Sequence, residues 1–183
     1  MKVYVFGDSL SAGFGIVPSS RWDALLEEEG FTIVNEGQNG DTLPHIVARL
    51  EAYHVPEGSF VYVQGGTNDC AMGTGVEALV GVVKHLMAIS RDHQWRLFFG
   101  LPSRPVSLDG VLDRILYEKI SMLREKLMAL EGLTWIDFEP ALFSDVENHF
   151  FDAVHPNSQG AKLIAEVLKK TWKDFASQGP SFA

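Results

Sequence analysis

The chain contains one cysteine, Cys70, so an internal disulfide is excluded and burial alone must hold the fold. Basic side chains are also scarce. Fifteen Lys and Arg face 24 Asp and Glu, a net charge of -9 that repels phosphate backbones and anionic surfaces, which excludes charge-driven binding of nucleic acid or membranes. No apolar run reaches the roughly 18 residues that a bilayer span requires. The most apolar helical stretch, 78–89, is interrupted by Lys84 and His85. A secretory leader would need a basic start, an apolar stretch and a small-residue cleavage site, whereas here a strand-like run begins at once and leads into Gly7-Asp8-Ser9. The chain therefore reads as cytoplasmic, an exported protein already shorn of its leader being the alternative. Repeats, low-complexity tracts and linkers are lacking as well.

What is present fits one domain over residues 1–183, with 46% hydrophobic and 21% charged residues, enough to bury a core without staples. Short β-branched and aromatic runs at 2–6, 31–35, 60–64, 96–100 and 134–137 read as strands, and longer helical segments alternate with them. Val76, Leu79, Val80, Val83 and Met87 keep the spacing of one helix face, as do Leu112, Ile115, Leu116, Leu123 and Leu127. The last helix follows Pro156. It presents Ala161, Ile164, Ala165, Leu168, Trp172 and Phe175 on one side, with Lys169, Lys170 and Lys173 near its end, where cations suit the macrodipole. Strand and helix in alternation require right-handed crossovers and a parallel sheet covered on both faces, a three-layer α/β/α sandwich. Two stretches stay irregular, 101–110 and the long aromatic 138–155. Long loops in compact domains are usually functional.

In an open parallel sheet, ligands sit beyond the carboxyl ends of the strands. Three polar, Gly-rich turns fall there: Gly7-Asp8-Ser9-Leu10-Ser11, Glu36-Gly37-Gln38-Asn39-Gly40-Asp41 and Gly65-Gly66-Thr67-Asn68-Asp69. A fourth segment, Asp152-Ala153-Val154-His155-Pro156, precedes the last helix. A hydroxyl nucleophile needs a base, and the base needs a carboxylate to orient it. Ser9, His155 and Asp152 supply those groups, although Asp137, Asp145 and Glu147 compete for the carboxylate role. An oxyanion must also meet fixed donors, for which the Ser9 amide, the Gly40 amide and the Asn68 side chain are available.

Gly7-Asp8-Ser9-Leu10, Asn39-Gly40-Asp41-Thr42, Gly66-Thr67-Asn68-Asp69 and Asp152-Ala153-Val154-His155-Pro156-Asn157 together resemble the four ordered blocks of the GDSL lipase/esterase family, the SGNH hydrolases. The resemblance spans almost the whole chain. It implies Ser9 as nucleophile, Gly40 and Asn68 completing an oxyanion hole, His155 as base and Asp152 as its partner. It further implies a flavodoxin-like five-stranded parallel sheet of order 2-1-3-4-5 and hydrolysis of a small-molecule ester or thioester, with no metal and no cofactor.

Rival readings attach to the same residues. His149, Asp152 and His155, joined by Asp8 or Asn68, are spaced to ligate a metal. A non-catalytic module would use the same crevice for a carbohydrate or lipid. Gly13-Phe14-Gly15 hints at a dinucleotide turn, but Pro18 stands where its third glycine belongs, and Ser11 likewise breaks a Gly-x-Ser-x-Gly elbow. Asp69 reads as a cap of the helix that follows it, and Cys70 as a buried hydrophobe. His45, His54, His85 and His93 read as ordinary helical positions, and Arg104 as a solvated loop cation. Leu101, Pro102, Phe143 and Phe151 are candidates for lining a substrate pocket, alongside Phe150. So short a chain has little material for a lid or tunnel, which favours short acyl groups.

Overall fold

The computed structural model describes residues 1–108, 110 and 112–177. Five strands lie in it: β1 (Lys2–Gly7), β2 (Thr32–Gly37), β3 (Phe60–Gln64), β4 (Arg96–Gly100) and β5 (Thr134–Ile136). All pair in parallel, in the order β2-β1-β3-β4-β5, so the strand order implied by the resemblance is the one found. Alternate side chains of each strand enter opposite cores. Tyr4, Phe6, Val61, Val63 and Phe99 face one, and Val3, Val5, Tyr62, Phe98 and Ile136 the other. With both faces covered, nearly every strand position must be apolar, which is why these runs stand out in the sequence.

The helices are α1 (Ser9–Ala12), α2 (Trp22–Glu28), α3 (Leu43–Ala52), α4 (Thr67–Ala71) and α5 (Val76–Asp92), followed by α6 (Arg114–Met128), α7 (Glu139–Leu142), α8 (Val146–His149) and α9 (Ser158–Ser177). A 3-10 turn, Pro18–Ser20, precedes α2. Helices α3, α5 and α6 cover the first core; α2 and α9 cover the second. No helix of the described residues is long and apolar enough to cross a membrane.

The α5 and α9 stripes are buried as their spacing predicts, apart from the partly buried ends Val76 and Phe175. The α6 stripe needs a correction. Asp113 caps this helix by accepting from the Leu116 N–H, so Leu112 lies outside it and the buried face runs Leu116, Ile120, Leu123, Leu127. Ile115 falls one position off that face and is 81% exposed. The stretch 138–155 is also not an open loop. It holds α7 and α8, and Phe138, Leu142 and Phe150 anchor it in the second core. Phe150 then bridges Pro156, which folds the Asp152–His155 turn back toward the sheet.

Candidate active site

Ser9 is the first residue of α1, directly beyond β1, and is nearly buried. Asp8 caps this helix by accepting the Leu10 N–H at 3.0 Å. The Ser9 N–H is one of the first-turn donors without an intrahelical acceptor. Strands β1 and β3 are neighbours in the sheet, and the connections leaving them pass to opposite faces, so the Ser9 and Asn68 turns flank the point where the winding reverses.

The His155 segment reaches Ser9 from the far end of the chain: Ser9 Oγ lies 3.0 Å from His155 Nε2. On the other side of the ring, Nδ1 lies 2.8 Å from Asp152 Oδ2. Asp152 Oδ1 accepts the backbone N–H groups of Val154 at 2.8 Å and His155 at 2.7 Å. Burial pushes the Asp152 carboxyl up, but those two N–H bonds and the imidazole outweigh it and hold the carboxyl below its ordinary value. An ionised carboxylate only accepts, so Nδ1 carries the proton, and in the neutral ring Nε2 is left to accept from the Ser9 hydroxyl.

None of the competing carboxylates is paired with His155. Asp137 binds Arg124 at 2.6 Å and Asp145 caps α8 through Asn148, while Glu147 is exposed in α8. His149 Nδ1 lies 2.8 Å from the Leu142 carbonyl. Among the described residues no three His, Cys, Asp or Glu side chains gather into a metal-ligating group.

Gly40 and Asn68 approach the same edge. Gly40 adopts φ +77, a left-handed conformation that a side chain would strain, in an exposed turn closed by Asp41 N–H on the Gln38 carbonyl. Asn68 opens α4 and donates one Nδ2 hydrogen to the Asp41 carbonyl at 2.8 Å. Asp69 does cap a helix, though not its own: its Oδ2 accepts the Leu43 N–H at 2.8 Å, at the start of α3. One orphan donor of α3 is thus met by a residue far along the chain, a pairing that local sequence does not encode. Asp8, wholly buried near Asp69 and Asp41, has its carboxyl raised to about 7 by burial first and by those two charges, against the Leu10 hydrogen bond.

The pocket candidates divide. Phe151 lies at the site, 44% exposed, its ring stacked on His155 at 5.7 Å and 13°. Beside it is Phe14, 43% exposed, at 4.8 Å from His155 and 6.1 Å from Phe151. Phe14 escaped the sequence reading because its glycine neighbours drew attention to a nucleotide turn instead. Leu101 is fully buried in the first core, and Phe143 packs in the second against Phe150, so neither lines the crevice. Pro102 is buried, its carbonyl taken by Arg124. Arg104 is no solvated cation: it makes a fork on the buried Glu139 and lies over Tyr117, and Glu139 raises its pKa. His45, His85 and His93 are exposed on α3, on α5 and at the α5 end, whereas His54 is exposed beyond α3. Cys70 is a core residue whose thiol burial pushes up to about 11.

Residues 5–163 match the family described as GDSL-like Lipase/Acylhydrolase. An arylesterase of Vibrio mimicus is 31% identical over 100 residues, 50% of this chain, which spans about half (49%) of that protein's length. The "Thioesterase 1/protease 1/lysophospholipase L1" of Escherichia coli (strain K12) is 24% identical over 175 residues, 91% of this chain and 80% of that protein. A member of the lipolytic protein G-D-S-L family from Veillonella parvula DSM 2008 has the same fold, with a TM-score of 0.82 at 21% identity over 94% of this chain and 98% of that one.

Proposed function

The chain belongs to the GDSL-like lipase/acylhydrolase family and is a hydrolase of carboxylic esters, and from that premise we propose that Ser9 is its nucleophile, His155 its general base and Asp152 the group that orients the base. The observation that carries this reading is the unbroken relay from Ser9 Oγ through Nε2 and Nδ1 of His155 to Asp152 Oδ2, at 3.0 and 2.8 Å. Membership in an enzyme family sets the binding-module reading aside. The metal reading lacks a ligand set among the described residues, where His149, Asp152 and His155 do not gather into one group.

His155 takes the Ser9 proton as Oγ attacks the ester carbonyl. The developing oxyanion is met by the amides of Ser9 and Gly40 and by the second Nδ2 hydrogen of Asn68, a donor set in which each member is worth about 3–4 kcal/mol. His155 returns the proton to the leaving alkoxide, which departs as the alcohol and leaves an acyl-Ser9 ester. Water then repeats the sequence, giving up its proton to His155 and releasing the acid.

Because His155 protonates the leaving oxygen, the groups around its open side contact the alcohol portion of the substrate. Those groups are the rings of Phe14 and Phe151, which favour an apolar or aryl alcohol. A chain of 183 residues has little material for a lid or deep tunnel once its two cores are built, which favours short acyl groups. Hydrolysis of p-nitrophenyl acetate tests the assignment. Wild-type protein is expected to turn over this ester, and Ser9→Ala to fall to background with an unchanged Tm. Retention of wild-type rates by Ser9→Ala would refute the mechanism.

A further inference from the structure

Around Arg49, in the last turn of α3, the ends of two strands and the Gly40 turn converge on one guanidinium. Its Nη1 donates to the Glu36 carbonyl of β2 at 2.7 Å, and Nη2 donates to the Gly7 carbonyl of β1 at 3.3 Å. Nε and Nη2 fork on Asp41 Oδ2 at 2.9 and 2.7 Å. Asp41 in turn follows Gly40, and its backbone carbonyl accepts the Asn68 side chain. Its Oδ1 accepts the Thr42 N–H at 2.9 Å. The Asp41 side chain is 9% exposed and that of Arg49 24%, so the fork is only partly screened by water.

We propose that Arg49 is a positioning residue for the oxyanion hole, holding the Gly40–Asp41 peptide and, through it, the Asn68 amide in register with Ser9. The inference rests on the assignment of Ser9 as nucleophile. Two physical effects support it. A planar fork with donors to two strand ends and a carboxylate fixes the turn in three directions, which a lysine's single ammonium cannot reproduce. The second effect concerns charge. The reaction builds negative charge beside Asp8, Asp41 and Asp69, and Arg49 is the cation paired with Asp41. The Asp69 carboxylate is met by the Leu43 N–H and that of Asp8 by the Leu10 N–H. Without the guanidinium, the Asp41 charge would keep only the Thr42 N–H and His45, 3.7 Å from its Oδ1, and would oppose the oxyanion more strongly.

The test measures kcat and KM for p-nitrophenyl acetate in wild type, Arg49→Gln and Arg49→Lys, together with inhibition by a trifluoromethyl ketone, whose hemiketal occupies the oxyanion hole. Displacing one donor by an ångström costs on the order of 100-fold, so Arg49→Gln is expected to lose about 10- to 100-fold in kcat and in ketone affinity, with KM within about twofold. Arg49→Lys, which keeps the charge and helps the variant fold, is expected to lose about 10-fold in both. A purely structural role would lower Tm and leave kcat per folded molecule and ketone affinity untouched, and that result in either variant overturns the proposal. Failure of the underlying assignment looks different: Ser9→Ala would then stay active, whatever Arg49 does.

Discussion

Asp152 holds His155 at two points: Oδ2 lies 2.8 Å from the ring Nδ1, and Oδ1 accepts the residue's own backbone N–H at 2.7 Å. Orientation of the ring and of the turn that carries it therefore share one side chain. Asp152→Asn keeps the Oδ1 acceptor for the backbone and removes the charge that fixes the proton on Nδ1. Turnover is expected to fall by about 10⁴ through the wrong tautomer, with little change in Tm. Steady-state kinetics beside a thermal melt checks this, and a loss below tenfold would contradict it.

Asp8 makes stability depend on pH in the direction opposite to an ordinary salt-bridged carboxylate. Its pKa rises from 3.8 to about 7 on folding, so within that window the native protein holds a proton that the unfolded chain has released. Stability must then fall as pH rises, the penalty being absent below the lower value and complete above the upper one. Its ceiling is roughly 4 kcal/mol, taking 1.36 kcal/mol for each pKa unit. Asp8→Asn keeps an oxygen for the Leu10 N–H and removes the penalty. Urea unfolding should show the variant equal to wild type near pH 4 and more stable at pH 8. Parallel pH curves would refute the account.

Glu139 anchors the loop after β4. Its buried carboxylate receives the Arg104 backbone N–H at 2.7 Å and the Arg104 guanidinium, and Arg124 lies 3.3 Å away. Removing one partner of a buried pair costs about 3–5 kcal/mol, and Glu139→Ala is expected near the lower end because Arg124 keeps Asp137. Denaturant titration measures it. A cost under about 1 kcal/mol would mean that the network is solvated.

Phe151→Ala tests the alcohol side of the site. Stacking of one aromatic pair is worth about 0.5–1.5 kcal/mol, so kcat/KM for phenyl acetate should drop roughly 3- to 10-fold relative to methyl acetate. An unchanged ratio between the two esters would remove Phe151 from the substrate-binding surface.

The layers of this fold were readable because local and global demands agree. Strands buried on both faces must be apolar at nearly every position, as Val3, Tyr4, Val5 and Phe6 are, and α9 carries an unbroken stripe from Ala161 to Trp172. Ser9, His155 and Asp152 stood out for a different reason, the four ordered blocks that carry the family resemblance, since Gly-Asp-Ser alone is an ordinary turn and Asp152 has rival carboxylates; the fold brings the three side chains together. The rest depended on partners distant along the chain. Arg49 looks like any solvent-facing cation of an amphipathic helix until Asp41, Glu36 and Gly7 meet it. Arg104 reads as loop decoration until Glu139 is buried beneath it, and Ile115 is misplaced because the cap at Asp113 sets the phase of α6.

Covalent capture by a fluorophosphonate addresses the central claim most directly, because it requires an activated hydroxyl and donors for the phosphoryl oxygen at one place. Peptide mass spectrometry of the wild-type protein is expected to find the adduct on Ser9 alone, with labelling abolished in Ser9→Ala and strongly slowed in His155→Ala. An unlabelled wild type, or an adduct on another residue that persists in Ser9→Ala, would contradict the account.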